Sequence, residues 1–494
     1  MNLAQLLADA ARRTPEKDAL RVPGGERYTY RQLAEEAARV ASFLRRSGVA
    51  AGDRVALAMP NVPRFASAYF GILGAGAAAV PLNAMLTEFE AGAILEDAGV
   101  AAVVGAGGPG RVAAAAAAGV GVGGPVVVDD AGWANIGADA EAPVEREEGD
   151  LAVLAYTSGT TGAPKGVMLT HGNLLANLRQ QMDVPEDRVR EDDVVLMALP
   201  LFHIFGLNVM LGLTVMNGAT GVLLERFDPV PALRAVQEEG VTVLFGAPPM
   251  YVSWVRTPGV EQYDLSRVRL AVSGAAPLPP DVVRSFAEIT GVDLYEGYGL
   301  TETAPALTSN RMGPRPRPGS VGKPLPGVEL RVVGDDMEDV EVGDPGEVVV
   351  RGPNVFAGYW KRPDETERAF TDGWFHTGDI GVIDEEGYLF LVDRKRDLII
   401  VSGFNVYPSE VEDALVAHPA VAEAAVVGVP HPYTGEAVRA YVTLADGADA
   451  SEEGLLADVR TRLARFKCPE SIEIVDDLPH LLTGKVLRRA LRDA

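Results

Sequence analysis

Residues 156–170 read YTSGTTGAPKGVMLT, a stretch with the residue types of a phosphate-binding loop. Four hydroxyl side chains and one cation could contact phosphate oxygens: Thr157, Ser158, Thr160, Thr161 and Lys165. Gly159 and Gly162 permit backbone turns whose N–H groups can form an anion-binding nest. The spacing differs from that of a GxxxxGK[ST] loop, because Pro164 replaces the second Gly and Gly166 replaces the Ser or Thr.

A surface linker rich in Ser, Thr and Gly is the alternative interpretation of this stretch. Its flanks favour the phosphate-binding loop. The residues before it, LAVLAY, predict a buried strand, and the residues after it, HGNLLANL, predict the start of a helix.

Four further polar or glycine-rich clusters lie far apart in the chain. They are LYEGYGLTET (294–303), HTGDIG (376–381), DRKRDLIIVSGFNVYPSEVE (393–412) and PHLLTGKVLRR (479–489). Each cluster alone is typical of a capped turn or a solvated face. Their joint order along the chain is far more specific than any one of them.

The elements that must position these clusters are those of an α/β protein. Amphipathic stretches such as TYRQLAEEAARVASFLRRSG alternate with short apolar stretches such as DRVALAMP and VTVLFGAP, which predicts layers of helices on sheets. From about residue 325 the pattern changes to short strands and turns, with DEEG as a hairpin turn. An acidic, alanine-rich α+β segment follows the charged run DRKRD. We therefore predict two domains, 1–395 and 396–494.

Charge and cysteine content exclude several classes of function. The 494 residues carry a formal net charge of −25, which argues against a nucleic-acid partner because phosphate neutralisation needs a basic surface. Cys468 is the single cysteine, so neither an intrachain disulfide nor a cysteine-based zinc site can form. The six histidines show no HExxH spacing, and no structural metal is expected.

The N-terminal residues and two uncharged runs bear on membrane targeting. The segment MNLAQLLADAARRTPEKDAL places its basic residues after the apolar stretch, the reverse of a secretory signal, and predicts a cytoplasmic protein. Residues 65–87 and 197–224 lack charges but are broken by Gly, Pro and Asn. Each predicts a buried helix followed by a strand, and no transmembrane segment is expected.

Taken together, YTSGTTGAPKG, YGLTET, HTGDIG, DRKRD with SGFNVYP, and TGKVLRR resemble the adenylate-forming superfamily. This superfamily includes acyl-CoA synthetases, luciferases and the adenylation domains of peptide synthetases, and the resemblance covers residues 10 to 490. It implies a large N-terminal domain of two stacked α/β subdomains and a distorted β-barrel, hinged to a small α+β C-terminal domain. It also implies that a carboxylate attacks the α-phosphorus of ATP and that a thiol then attacks the acyl-AMP.

The resemblance implies a triphosphate site in two of these motifs. The loop residues Thr157, Ser158, Gly159, Thr160, Thr161 and Gly162 would hold the β- and γ-phosphates together with Lys165. Thr301 would bond a phosphate oxygen. Glu302 would help to hold Mg²⁺, which prefers carboxylate and phosphate oxygens.

The same resemblance assigns residues of other motifs to the binding of the nucleoside, to adenylation and to the reaction with the thiol. Tyr298, beside Gly299, would stack on adenine, and the loop Gly274, Ala275 and Ala276 would pack its backbone against the same ring. Asp379 and Arg394 would contact the ribose. Lys485 would stabilise charge on the bridging oxygens during adenylation, and Gly403 would leave room for the pantetheine of coenzyme A.

Two positions need separate interpretation. His203, in PLFHIFGLN, is either a core histidine with one satisfied hydrogen bond or, by the resemblance, a gate between the acyl site and the thiol tunnel. Arg396 occupies the hinge position where the family usually has Asp or Lys. Because Arg keeps the charge and changes the donor geometry, we expect the hinge to work with altered kinetics of domain motion.

The acid pocket is expected to be apolar. Its predicted lining comprises Phe202, Leu207, Phe245, Met250, Tyr251, Gly297, Leu300 and Ala306. Malonate-activating relatives place an Arg where Gly297 stands, and LPLFHIFGLNVMLG offers no acid for a substrate ammonium. A medium- or long-chain fatty acid fits best, and a bulky or aromatic acid is the alternative.

Coenzyme A is the expected thiol, since VSGFNVYPSEVED resembles the fatty acyl-CoA ligases. Loading of a carrier protein is one alternative, and a nucleotide-binding scaffold without chemistry is another. Retention of Lys165, Glu302, Asp379 and Lys485 argues against the scaffold. The chain could form a homodimer.

Overall fold

The computed structural model describes residues 1–157, 164–185, 188–394, 397–401, 404–431, 435–463, 465, 467–480 and 486–492. The chain divides into two compact units. The first comprises Met1–Glu329 and Val350–Phe375, and the second comprises Leu330–Val349 and His376–Ala494. The predicted domain boundary at 395 and 396 lies outside the described residues.

The strands of the described ranges are short and are spread over the whole chain. They are β1 (Asp18–Arg21), β2 (Arg27–Thr29), β3 (Arg54–Ala58), β4 (Ala78–Pro81), β5 (Ala102–Gly105), β6 (Val126–Val127), β7 (Leu151–Thr157), β8 (Lys165–Thr170), β9 (Val194–Met197), β10 (Thr220–Leu223), β11 (Val243–Gly246), β12 (Leu270–Ser273), β13 (Leu294–Gly299), β14 (Ala306–Ser309), β15 (Lys323–Pro324), β16 (Glu329–Val333), β17 (Gly346–Arg351), β18 (Phe370–Thr371), β19 (Trp374–Ile383), β20 (Leu389–Arg394), β21 (Ile399–Val401), β22 (Phe404–Val406), β23 (Val421–His431), β24 (Gly435–Leu444) and β25 (Ser471–Ile474).

Helices alternate with these strands through most of the chain. They are α1 (Gln5–Arg13), α2 (Tyr30–Arg46), α3 (Pro63–Gly74), α4 (Glu88–Ala98), α5 (Gly107–Val120), α6 (Asp130–Ala134), α7 (His171–Met182), α8 (Leu213–Asn217), α9 (Pro229–Glu239), α10 (Pro248–Arg256), α11 (Pro280–Thr290), α12 (Pro363–Arg368), α13 (Pro408–Val416), α14 (Glu452–Arg462) and α15 (Arg488–Arg492). A π-helical segment, Phe205–Gly212, precedes α8.

Two sheets build the first unit. Nine of the described strands form the order β15-β14-β13-β12-β11-β9-β10-β1-β2, and six more form β6-β5-β3-β4-β7-β8. The inner strands from β13 to β1 are parallel, whereas β7 and β8 form an antiparallel hairpin. Parallel strands need both faces covered, and β3, β4, β9, β11 and β12 accordingly consist almost wholly of buried residues.

The second unit has its own sheet and core. β22, β21, β24 and β23 pair in that order, and β25 adds to β24 in parallel. Ile399, Val426 and Val442 are fully buried in the core of this sheet, together with residues of α13 and α14. Asp384 closes the DEEG turn between β19 and β20, because its N–H donates to the carbonyl of Tyr388 at 3.1 Å.

The predicted α/β class is confirmed, and so are several elements. Thr29 caps α2 in a capping box with Gln32, and α2 covers the predicted amphipathic stretch. Both uncharged runs contain a buried helix followed by a strand: α3 with β4, and the π-helical segment and α8 with β10. Within the described ranges, every helix is too short or too polar to cross a bilayer.

Candidate active site

The hairpin β7–β8 positions the ends of the predicted phosphate-binding loop. In its antiparallel ladder Thr157 pairs with Lys165, and Tyr156 pairs with Gly166. The predicted strand before the loop is confirmed as β7, but the loop returns into a second strand, β8, before α7 begins. The predicted ligands Ser158, Gly159, Thr160, Thr161 and Gly162 lie outside the described residues.

The segment 356–360 packs along β8 and brings a tyrosine to the hairpin. Met168 and Gly358 share a backbone hydrogen bond of 3.0 Å, and the Trp360 N–H donates to the Gly166 carbonyl at 2.8 Å. A Cβ at Gly166 would lie 2.9 Å from Leu154 Cδ1 and 3.1 Å from Trp360 Cβ, so a larger residue would require these neighbours to shift. Tyr359 is thereby fixed beside Lys165.

Lys165 and Glu302 are joined through Tyr359. The Lys165 ammonium forms an ion pair with Glu365 of α12 and lies 5.5 Å from the centre of the Tyr359 ring. The Tyr359 hydroxyl donates to Glu302 Oε1 at 3.0 Å. The hydrogen bond from Lys165 lowers the pKa of Glu365, whereas burial, followed by Glu302, raises the pKa of Tyr359 well above its usual value. The structure thus connects a predicted phosphate-binding lysine with the predicted metal-binding glutamate.

Tyr298 lies near the end of β13, and the turn that follows this strand carries Thr301 and Glu302. A Cβ at Gly299 would lie 1.9 Å from the Pro305 carbonyl oxygen, so this position requires glycine. The Leu300 N–H donates to Thr303 Oγ1 at 3.0 Å, and the Phe356 N–H donates to the Glu302 carbonyl at 2.8 Å. These bonds fix the backbone on both sides of Thr301.

Three buried asparagines from separate elements hold the residues that follow Glu302. Asn208, in the π-helical segment, donates to the Ala304 carbonyl at 2.7 Å. Asn177, on α7, donates to the Ala306 carbonyl at 2.7 Å, and Asn354 donates to the Thr303 carbonyl at 2.8 Å. Buried carbonyls need such donors. The clamp explains how a left-handed residue, Ala304 with φ +66°, is maintained.

The loop SGAAP leaves β12 beside β13. Gly274 is close to Phe205, since a Cβ on Gly274 would lie 3.3 Å from Phe205 Cε1 and 3.5 Å from the Gly297 carbonyl oxygen. Ala275 has φ +77°, and Ala276 follows it as a half-buried residue. The buried Glu296 accepts from the Leu278 N–H at 3.2 Å, and burial raises its pKa to about 7. The end of the predicted adenine loop is therefore tied to β13.

The predicted acid pocket divides into two groups of residues. Phe245, on β11, is 1% exposed, and its ring centre lies 6.2 Å from that of Phe205. Phe205 in turn lies close to Gly274, which is near the Gly297 carbonyl. Tyr251 is also fully buried, but it packs against a different group, Trp254 and Phe286, and its hydroxyl donates to the Val272 carbonyl at 2.9 Å. The structure places the first group at the carboxyl ends of β11, β12 and β13, where ligands bind in open α/β sheets.

The remaining lining residues lie on several elements. Leu207 is buried in the π-helical segment, and Met250 is buried on α10, where its sulfur accepts from the Ala247 N–H at 3.5 Å. Ala306 begins β14 under the Asn177 clamp. Phe202, His203 and Leu300 are half-buried, and His203 Nδ1 accepts from the Phe205 N–H at 3.3 Å.

Asp379 and Arg394 are brought together within the second unit. Their backbones pair across β19 and β20, at the edge of a bulge between Ile380 and Gly381. Asp379 is only 5% exposed, and its N–H donates to Thr377 Oγ1 at 3.1 Å. The predicted ribose-binding pair thus occupies opposite positions on one ladder.

The predicted hinge and C-terminal residues are Arg396, Gly403 and Lys485, which lie outside the described residues. The helix that follows Lys485, α15, is anchored by Arg488. This guanidinium lies 2.6 Å from Glu412 and 3.4 Å from both Asp393 and Asp397.

Sequence reasoning missed Tyr359, Glu365, Phe205 and the three asparagines. Glu365 resembles a surface residue of a charged helix, and its contact with Lys165 depends on the pairing of β8 with residues 356–360. The one available signal was PLFHIFGLN, in which Phe205 and Asn208 flank the predicted Leu207.

Comparison with known proteins assigns both parts of the chain. A family model described as AMP-binding enzyme matches residues 7–360, and one described as AMP-binding enzyme C-terminal domain matches residues 410–485. A long-chain-fatty-acid–CoA ligase of Bacillus subtilis is 36% identical, over 99% of this chain and 94% of that protein. A feruloyl-CoA synthase of an Amycolatopsis species is 41% identical, over 98% and 96%. The structure of ATP-bound MatB from Rhodopseudomonas palustris has a TM-score of 0.91 at 38% identity, over 100% of this chain and 99% of that one.

Proposed function

The chain belongs to the AMP-binding enzyme family as an AMP-forming acid–thiol ligase, and on that premise we propose that its acid is hydrophobic, a medium- or long-chain fatty acid. In the first step, a carboxylate oxygen of the acid bonds to the α-phosphorus of ATP and pyrophosphate leaves. In the second, the sulfur of coenzyme A bonds to the acyl carbon and AMP leaves, while the thiol proton passes to solvent. The AMP ester is needed because a carboxylate is a poor electrophile.

The first unit would hold the triphosphate in this proposal. Lys165 would contact the β- and γ-phosphates with Thr157 and the loop residues 158–162. Thr301 would bond a phosphate oxygen. The Glu302 carboxylate, with one oxygen already accepting from Tyr359, fits Mg²⁺, which binds through one or two carboxylates together with phosphate oxygens. Mg²⁺ would neutralise the charge of the leaving pyrophosphate.

The other predicted residues would serve the nucleoside and the thiol. Tyr298 would stack on adenine, next to the loop Gly274–Ala276. Asp379 and Arg394 would bind the ribose. Lys485 would stabilise developing charge during adenylation, an effect of about 10²–10³ in rate by analogy with one oxyanion donor. His203 would gate the acyl site, and Gly403 would admit pantetheine.

The observation that carries the choice of acid is the uncharged wall formed by Phe205 and Phe245, with ring centres 6.2 Å apart. A second carboxylate or an ammonium buried against such a wall would lack a partner, at a free-energy cost of several kcal/mol. Each buried methylene of a fatty acid would instead contribute about 0.8 kcal/mol, near a fourfold gain in affinity.

An aryl acid is the second candidate, and the same wall supports it. Phe205 and Phe245 meet edge to face at 75°, a geometry that a substrate ring can extend. The feruloyl-CoA synthase relative adds support for an aromatic substrate.

The test is a specificity series for CoA thioester formation. We would measure kcat/KM for straight-chain acids from C2 to C16, for malonate and phenylalanine, and for cinnamate and ferulate. We expect kcat/KM to rise from butyrate through octanoate or beyond, with little reaction of malonate or phenylalanine. A maximum at acetate, malonate or the amino acid would refute the apolar pocket. A maximum at cinnamate or ferulate would select the aryl candidate.

A further inference from the structure

Lys165 already has an anionic partner within its own unit. Its ammonium pairs with Glu365, and the two side chains are 18% and 25% exposed. The pair is thus mostly shielded from water. Charges interact more strongly in such a shielded site than at an open surface. A triphosphate that binds to Lys165 must share this ammonium with the carboxylate or replace it.

Glu365 has a second cationic neighbour besides Lys165. Its other oxygen, Oε1, lies 3.8 Å from Nε of Arg362, the residue immediately before the short helix α12. If the ammonium moves away, the carboxylate keeps this charge partner. Departure of Lys165 therefore does not leave a buried, uncompensated charge, which would be the costly outcome.

Tyr359 keeps the ammonium nearby when the pair opens. Its ring is fixed by Phe356, with centres 4.9 Å apart, by the hydrogen bond from its N–H to Thr366 Oγ1 at 2.9 Å, and by its hydroxyl bond to Glu302. The ring face 5.5 Å from Lys165 Nζ can attract the cation in either position. Tyr359 supplies a fixed surface over which the ammonium can move.

We propose that Glu365 is an internal counter-anion of Lys165, which holds the ammonium in the nucleotide-free enzyme and is displaced from it by the β- and γ-phosphates of ATP. Glu365 is a positioning residue in this role, since it contacts Lys165 and not the reacting atoms. The inference rests on the proposed role of Lys165 in binding phosphate. It implies that Glu365 weakens the binding of ATP, because the phosphates must displace it. It also implies that Glu365 holds Lys165 in position before ATP binds.

The test uses Glu365→Gln, with Glu367→Gln as the matched control. Both variants remove one negative charge from α12, but Glu367 is exposed and is not the partner of Lys165. We would measure equilibrium binding of MgATP and of AMP to the full-length protein without acid or coenzyme A. In Glu365→Gln the Kd for MgATP should fall about fivefold, the effect of one partly exposed ion pair. The Kd for AMP should stay within a factor of two, because AMP lacks the displacing phosphates.

The remaining outcomes separate failure of the inference from failure of the proposed function. If the wild-type protein does not bind MgATP or release pyrophosphate with any acid, the proposed function fails. If it does both, and Glu365→Gln binds MgATP as the wild type does or more weakly, Glu365 does not compete and the inference is wrong. If Glu367→Gln lowers the Kd for MgATP equally, or if Glu365→Gln lowers the Kd for AMP equally, the effect is one of general charge. The inference is then also wrong. In a Lys165→Met background, Glu365→Gln should have no further effect on MgATP binding.

Discussion

The first unit surrounds Lys165 with one carboxylate and one aromatic ring, whereas the second unit surrounds Arg488 with three carboxylates. Around Lys165 the charges balance, and Glu365 has Arg362 as a second cation. Around Arg488 and Arg492 three carboxylates meet two guanidinium groups, and the Glu412 side chain is 17% exposed. Burial raises the pKa of Glu412, although Arg488 beside it acts in the opposite direction.

The difference separates a cation that can change partners from one that anchors a helix. An incoming phosphate can replace Glu365 at Lys165 without leaving charge uncompensated. No comparable exchange is open to Arg488, because Glu412 would lose the one cation described beside it, whereas Asp397 would keep Arg492 at 3.2 Å. Arg488 lies three residues after Lys485 in the chain, so its anchorage bears directly on the segment that carries the predicted catalytic lysine.

Arg488→Met should have the largest effect on stability. Glu412, whose side chain is only 17% exposed, would lose the cation beside it, so the free energy of unfolding should fall on the order of 3 kcal/mol. Urea denaturation of the full-length protein, monitored by far-UV circular dichroism, measures it. The control is Arg462→Met, which breaks an exposed pair with Asp458 on α14 and should change stability by under about 1 kcal/mol. Equal effects of the two variants would contradict an anchoring role.

Lys165→Met should show the opposite character, with a large effect on rate and a small one on stability. Loss of the ammonium should reduce pyrophosphate release about 10²–10³-fold, as for a lost electrostatic donor. Thioester formation from supplied acyl-AMP and coenzyme A should persist, because that step contains no triphosphate. Lys361→Met, at a neighbouring exposed lysine that bonds the Asp97 carbonyl, serves as control. Equal loss of both half-reactions would show that Lys165 acts in more than triphosphate binding.

The hairpin shows where sequence reasoning succeeds and where it stops. The apolar run LAVLAY and the sequence HGNLLANL correctly predicted β7 and the start of α7, since both depend on local patterns. The strand β8 was missed because its six residues follow a glycine-rich loop and show no clear alternation. Tyr359 and Glu365 were missed because their contacts with Lys165 and Glu302 arise from pairing between distant parts of the chain.

The buried asparagines illustrate the same limit. Asn208 stands in an apolar run, where it interrupts the pattern without indicating a partner. Its bond to the Ala304 carbonyl joins segments that local periodicity cannot relate. Sequence motifs therefore identified the groups predicted to contact substrate, while the residues that hold those groups required the structure.

Glu296→Gln tests a third environment, since Glu296 is a buried carboxylate for which the structure describes no cation partner. Its folded-state pKa is about 7, above the ordinary value of 4.5, so the folded state retains a proton that the unfolded state releases. Wild-type stability should therefore fall as pH rises from 4.5 to 7, by about 2–3 kcal/mol. Glutamine does not titrate and can still accept from the Leu278 N–H.

Urea denaturation of both proteins at pH 5 and pH 8 measures this effect. The variant should exceed the wild type in stability at pH 8 and should match it more closely at pH 5. His171, whose pKa burial lowers to about 4, has the opposite dependence, with stability lost as pH falls below 6.5. Because His171 is common to both proteins, the difference between them cancels its contribution. A difference independent of pH would mean that Glu296 stays ionised in the folded protein.

Tyr359→Phe should have the smallest effect, and it tests whether the link between Lys165 and Glu302 matters for the metal. The substitution keeps the ring beneath the Lys165 ammonium but removes the hydroxyl that donates to Glu302 at 3.0 Å. One such hydrogen bond contributes about 1 kcal/mol, so the Mg²⁺ concentration for half-maximal pyrophosphate release should change about fivefold. The control is Tyr156→Phe on β7, which removes a hydroxyl that donates to Asp97 of α4 at 2.6 Å and should leave the Mg²⁺ dependence unaltered. If both variants shift it equally, the effect comes from the packing of the hairpin, and the orientation of Glu302 does not depend on Tyr359.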